Sequence, residues 1–288
     1  MKQLVVIAGL GLIGGSMAKA FKKHTDCLVY GWNRTRSVAE RALADGAIDG
    51  IADNEVLARC DLLIPVLYPR ATITFLERVI PTMKPGAAIV DLVGVKEAVE
   101  KAVTPLAAAH GVRYTGGHPM AGLARAGYER SFAELFDGAS MILVPTETTG
   151  EGDLDRFSAL FRQVGFGTIR ICDAKSHDRM IAHTSQLAHV VSNCYVKSPV
   201  SANYEGFAGG SYRDMTRVAP LNEKVWTELF AMNRAALVEE IDLLTARMNE
   251  VRQAIMDGDE PTLEWLLREG REARERIELL HPNEPKFE

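Results

Sequence analysis

His118 lies in Thr115-Gly116-Gly117-His118-Pro119-Met120-Ala121-Gly122, an imidazole flanked by three glycines. A neutral imidazole takes a proton from an alcohol near pH 7, so a histidine held at the edge of a cleft is a candidate catalytic base. A second chemistry belongs to Gly9-Leu10-Gly11-Leu12-Ile13-Gly14. In G-x-G-x-x-G the first glycine permits a tight turn, the second lets backbone approach a pyrophosphate, and the third lets a helix lie close to its strand. Gly9, Gly11, Leu12, Ile13 and Gly14 are therefore candidate cofactor-binding residues. Arg213 and Arg217 stand four apart and share a face if helical. Such a pair can clamp a dicarboxylate, and on spacing alone serves equally as solvated charge or as a structural ion pair. His183, Gln186 and His189 share one flank of a helix, facing a pocket or a partner. No carboxylate joins that set and its spacing suits a metal poorly, so no metal site is expected.

The elements that must position these groups alternate regularly. Lys2 to Ala8 is a short apolar run that suits a buried parallel strand, and a helix follows from Ser16. Cys27 to Trp32 reads as a second strand, Cys60 to Leu67 as a third, Ala87 to Leu92 as a fourth, and Val112 to Tyr114 as a fifth, with His118 on the loop beyond it. Ser140 to Val144 and Thr168 to Ile171 continue the series, with helices between; Ile48 to Leu57 reads as an irregular connection. This pattern predicts an α/β fold, a doubly wound Rossmann-type parallel sheet, over residues 1–172. Ligands bind at the carboxyl ends of such strands, which selects Gly9–Gly14, Asn33–Arg36, Val66–Pro69 with Leu67, and Val93–Lys96.

Asn33 lies 19 residues beyond Gly14, close to the position that meets the adenosine ribose. An NAD site carries a carboxylate there. This chain has Asn33, Arg34, Thr35 and Arg36, which would accept a 2′-phosphate rather than repel it, so NADP is favoured and NAD is the alternative.

Residues 173–288 read as an all-α domain. Ser176 is the expected cap of a helix running to about Lys197. From Val225 a long helical run carries Leu237, Ile241, Leu244, Met248, Val251 and Ile255 at alternating steps of four and three, a heptad seam for an intrachain contact or a homodimer. The tail from Pro282 to Glu288 reads as loose. Hydrophobic residues at 47%, charged residues at 25% and a net charge of -5 describe a globular chain with no electrostatic pull toward nucleic acid or anionic membrane. The cysteines, Cys27, Cys60, Cys172 and Cys194, form no C-x-x-C pair, as expected of thiols in a reducing cytoplasm. The glycine-interrupted N-terminal run reads as a strand rather than a signal peptide, and no stretch has the length of a membrane span.

Taken together, Gly9-Leu10-Gly11-Leu12-Ile13-Gly14, Gly117-His118-Pro119-Met120-Ala121-Gly122, Arg213-Asp214-Met215-Thr216-Arg217 and Trp226 resemble the prephenate/arogenate dehydrogenase family of tyrosine biosynthesis. The resemblance implies an N-terminal nucleotide-binding domain, a helical C-terminal dimerisation domain, and oxidative decarboxylation of a cyclohexadienyl acid with NAD(P). It further implies that His118 accepts the substrate hydroxyl's proton, and that Arg217, assisted by Arg213, binds a substrate carboxylate. The chain departs from the family in two places. Gly94 replaces the serine of Asp-x-x-Ser-Val-Lys, and Gln186 replaces the first histidine of Ser-His-Leu-Pro-His. Both fall on the substrate side and mark Gly94 and Gln186 as candidate substrate-binding positions, so that beside prephenate, arogenate or a 4-amino analogue of prephenate is a candidate substrate. A β-hydroxyacid dehydrogenase or imine reductase and an inactive NADP-binding sensor are the rival readings.

Overall fold

A computed structural model describes residues 2–123 and 126–281 of the chain. The tail expected to be loose lies outside the described residues. Two compact units divide the chain, Met1–Leu237 and Val238–Glu288.

The first unit opens with β1 (Leu4–Ala8), α1 (Leu12–His24), β2 (Leu28–Trp32), α2 (Arg36–Ala44), β3 (Gly50–Ile51), α3 (Asn54–Arg59) and β4 (Leu62–Pro65). It continues through α4 (Pro69–Val79), β5 (Ala88–Val90), α5 (Glu97–Ala109), β6 (Arg113–Pro119), β7 (Ser140–Pro145), α6 (Asp153–Gln163) and β8 (Thr168–Ile171). The strands make one sheet in the order β3-β2-β1-β4-β5-β6-β7-β8. The order reverses between β1 and β4, the switch point at which doubly wound sheets take their ligands. Every residue of β1 is buried because helices cover both faces: Val5 and Ile7 join one apolar cluster, while Leu4, Val6 and Ala8 join the other. That double burial explains an apolar run without alternation.

The sheet departs from the expectation in three respects. Residues expected to form an irregular connection hold β3 and α3, whose N-cap Asp53 accepts from the Val56 N–H. β7 runs antiparallel to β6, with His118 opposite Ile142, so β7 and β8 oppose the other strands. Finally, His118 lies on a strand and not on a loop, because that antiparallel pairing carries β6 on to Pro119.

Helices follow: α7 (Ala174–Ile181), a π-helical turn over Ala182–Leu187, α8 (Ala188–Tyr195), α9 (Gly210–Thr216) and α10 (Glu223–Met232). The cap of α7 is Asp173, whose carboxylate accepts from both the N–H and the hydroxyl of Ser176; the expected cap, Ser176, lies inside the helix. The long run expected from Val225 breaks at Asn233, after which α11 (Arg234–Asp257) begins. In the second unit α11 turns through Gly258 into α12 (Glu260–Leu280), capped by Asp259. Along the expected seam Met248 and Ile255 are 63% and 61% exposed, so a single chain leaves much of this stripe uncovered. No helix among the described residues is long and apolar enough to cross a membrane.

Candidate functional site

At the nucleotide end, the glycine motif is a matter of close approach. Gly9 has φ +102°, and a Cβ there would stand 2.3 Å from the Val66 carbonyl oxygen and 2.7 Å from a Leu67 methyl. A Cβ on Gly14 would fall 1.8 Å from the Gly9 carbonyl oxygen, so only glycine lets α1 start this close to its strand. Gly11 is the opposite case, with nothing within 4 Å of its added Cβ. It is also the N-cap of α1 and brings no side chain to cap it, which leaves first-turn amides of Leu12 and Ile13 for an anion. An open cradle over bare amides fits a dinucleotide pyrophosphate.

Asn33 sits at the expected end of β2, but its side chain serves the turn. Its Oδ1 accepts from the Leu10 N–H at 3.0 Å and its Nδ2 donates to the Thr35 carbonyl at 2.9 Å. Arg34 and Thr35 are exposed, and the Thr35 hydroxyl caps nothing although the residue stands at the N-cap of α2. Arg36 pairs with Glu40 at 2.9 Å.

At the other end of the cleft edge stands His118, whose Nδ1 lies 2.9 Å from Nε2 of His177; Nδ1 of His177 lies 2.7 Å from Asp178 Oδ1. The carboxylate fixes the protons. Asp178 only accepts, so His177 donates from Nδ1 and accepts at Nε2, and His118 donates from Nδ1. That leaves Nε2 of His118 with a lone pair and, among the described residues, no partner. It faces the Gly94 backbone, where an added Cβ would lie 3.8 Å from Nε2 and 3.4 Å from a Leu229 methyl of α10. Burial, then the neighbouring His177 and Lys96, hold His118 well below the ordinary histidine value. Burial also lowers His177, opposed by its hydrogen bond to Asp178. Both rings are neutral at pH 7, the form in which Nε2 accepts a proton.

Asp178 is itself pinned. Its Oδ1 accepts from the Lys96 N–H at 2.8 Å and its Oδ2 from the Glu97 N–H at 2.9 Å, so a residue of α7 caps α5. Glu228 on α10 does the same for α4, accepting from the Arg70 N–H at 2.5 Å. Beneath the histidines, Asp91 pairs with Lys96 and accepts from the Tyr114 hydroxyl at 2.7 Å. The glycines before His118 make room for this layer. A Cβ on Gly117 would lie 2.5 Å from the Asp91 carbonyl oxygen.

The structure thus brings His118 and Gly94 together, and likewise Gly9, Gly14, Leu67 and Asn33. Gln186 is placed differently. It is 1% exposed, and its Oε1 accepts at 2.8 Å from Asn233, whose Nδ2 also donates to the Asp178 carbonyl. Gln186 therefore braces α7 through its Oε1. Arg213 and Arg217 are exposed, on α9 and at its C-cap, and no contact of theirs with His118 is seen among the described residues. His189 stacks on Trp226 with ring centroids 3.9 Å apart and donates from Nδ1 to the Ser185 carbonyl, which leaves its Nε2 as an acceptor. No group of three or more potential metal ligands occurs among the described residues. His177 and Asp178 are the residues of this hydrogen-bonded chain that spacing did not single out; the signal available was an adjacent His-Asp pair in the first turn of a capped helix.

The chain is similar to known proteins along nearly its whole length. Residues 17–169 match the nucleotide-binding domain of prephenate dehydrogenase and residues 173–269 match its dimerization domain. A cyclohexadienyl dehydrogenase of Zymomonas mobilis is 29% identical over 98% of both chains. Among solved structures, a Synechocystis arogenate dehydrogenase is 25% identical with TM-score 0.83, covering 96% of this chain and 100% of that one. A prephenate dehydrogenase from A. aeolicus, solved with hydroxyphenyl propionate and NAD+, is 26% identical with TM-score 0.84, covering 96% and 99%. With both of its parts matched, and with a glycine cradle and a free imidazole nitrogen at the ends of its strands, the chain belongs to the prephenate dehydrogenase family, NAD(P)-dependent oxidoreductases that decarboxylate cyclohexadienyl acids.

Proposed function

We propose that the chain oxidatively decarboxylates a cyclohexadienyl acid using NADP, with His118 as the catalytic proton acceptor. The observation that carries this reading is the tautomer chain: Asp178 orients His177, His177 accepts from His118, and Nε2 of His118 is left free beside Gly94. When bound, the nicotinamide supplies the hydride acceptor. The substrate's ring hydroxyl donates its proton to Nε2 of His118 as the carbinol carbon gives up its hydride. The bond to the ring carboxylate then breaks, carbon dioxide leaves, and the ring becomes aromatic. Positive charge gained by His118 is offset through His177 by the Asp178 carboxylate, without movement of either ring. Arg217, assisted by Arg213, binds a substrate carboxylate in this reading.

NADP is supported by Arg34 and by the uncommitted Thr35 hydroxyl at the end of β2, where no carboxylate stands to repel a phosphate. Gly94 offers Nε2 no neighbouring hydroxyl, so Nε2 is free to accept from the ring hydroxyl that prephenate and arogenate share, or from the ring amine of a 4-amino analogue. The division near residue 172 separates a nucleotide-binding part from a helical part, and the exposed stripe on α11 supports a homodimer, which this reading places in the cytoplasm. A grid of prephenate, arogenate and 4-amino-4-deoxyprephenate against NAD and NADP, followed by reduced nicotinamide absorbance, tests the reading. Turnover of none of them refutes it.

A further inference from the structure

A fully buried ammonium lies behind the two histidines, outside the mechanism above. Lys96 is 1% exposed and Asp91 is 0% exposed. Buried ion pairs are poor stabilisers in general, because the cost of desolvating both charges offsets their attraction. Where the Lys96 donors go is more informative. Nζ donates to the Asp91 carboxylate and, at 2.6 Å, to the carbonyl of Gly117, the residue before His118. Its backbone N–H donates at 2.8 Å to Oδ1 of Asp178, the oxygen that lies 2.7 Å from Nδ1 of His177.

We propose that Lys96 is a positioning residue for the His118–His177 pair. It fixes the strand through the Gly117 carbonyl and the acceptor chain through Asp178, and its ammonium is a fixed positive charge near both rings. The inference rests on His118 being the proton acceptor. The surroundings are built for this stem: a Cβ on Gly116 would lie 2.9 Å from the Lys96 Cδ, so glycine lets it pass under β6. Asp91 is held in turn by the Tyr114 hydroxyl at 2.7 Å and the Val93 N–H at 2.8 Å. The ionisable groups around the two imidazoles are Asp91 after β5, Lys96, Glu97 and Glu100 at the start of α5, Tyr114 on β6 and Asp178 on α7, while α10 adds the apolar Leu229. Lys96 is the cation of this set. It disfavours a proton on either ring, whereas Asp91 and Asp178 favour one on His177. Without the ammonium the balance tips toward imidazolium.

The test uses the intact chain carrying Lys96→Met, and the double variant Lys96→Met with Asp91→Asn, which leaves no buried carboxylate unpaired. Histidine-labelled protein is titrated by NMR, the His118 signal being the one lost in His118→Gln. In both variants His118 should take up its proton at higher pH than in the unsubstituted chain, with a protonation constant raised roughly tenfold. The acid limb of kcat/KM should move the same way while KM for the cofactor stays put. A His118 titration that does not move in the folded variants overturns the proposal, and so does failure of both to fold, which would make Lys96 a core residue alone. If the unsubstituted chain turns over no cyclohexadienyl acid, the functional reading fails, and the ring titration still decides the role of Lys96.

Discussion

Replacing His177 by phenylalanine removes two nitrogens from a ring that is 1% exposed and keeps most of its volume. Two hydrogen bonds go: the 2.9 Å contact to His118 and the 2.7 Å contact to Asp178. Asp178 retains the Lys96 and Glu97 amides, so its charge is not stranded. The Nδ1–H of His118 is left facing a phenyl ring. A buried group that loses its partner costs about 1–3 kcal/mol, so the pair of losses should cost about 2–6 kcal/mol in urea unfolding, which a typical fold survives. The effect on rate should be larger than this implies. With no acceptor for Nδ1–H, the His118 ring is free to flip and to take the other tautomer, and kcat should fall about 10²–10⁴-fold, the range expected when an imidazole loses its orienting partner. KM for the cofactor should not change, since the glycine turn touches none of these groups. A folded His177→Phe protein with near-normal kcat and an unchanged pH profile would show that His118 needs no partner and refute the tautomer chain.

Three further outcomes follow from the same geometry. Both histidines are held below the ordinary value of about 6.5, so the unfolded chain binds more protons just below that pH; stability should be full above about pH 6.5 and fall on acidification. Urea midpoints between pH 5 and 7.5 check this, and His118→Asn should flatten the slope. Arg34→Ala should raise KM for NADP about tenfold and leave KM for NAD nearly unchanged, the loss of one charge-assisted phosphate contact, read from steady-state kinetics with each cofactor. Gly14→Ala, whose Cβ would fall 1.8 Å from the Gly9 carbonyl oxygen, should abolish cofactor binding in calorimetry, because the turn must open to admit it.

Much of this was legible along the chain. Strands buried on both faces leave continuous apolar runs, and a turn that demands glycine at Gly9 and Gly14 marks the cofactor end. His118 was legible for a partly different reason from the one its neighbours suggest: Gly116 and Gly117 are small to clear Lys96 and Asp91 beneath them, not to free a loop. What stayed hidden depends on distant pairings. His177 meets His118 across 59 residues and Asp178 meets Lys96 across 82, separations at which local spacing carries no signal. Gln186 shows the limit from the other side. Helical periodicity placed it on a flank, but only the break at Asn233 determines that this flank is sealed.

Glu228 and Asp178 close the starts of α4 and α5 from helices that come later in the chain. During synthesis, a ribosome that has released only the sheet has delivered neither carboxylate, and both helices begin with naked amides until the later helices emerge. A fragment cut near residue 172 should inherit that unfinished state and bind nucleotide weakly. A cut after Leu237, where the first compact unit ends, should release a piece with its own seals in place.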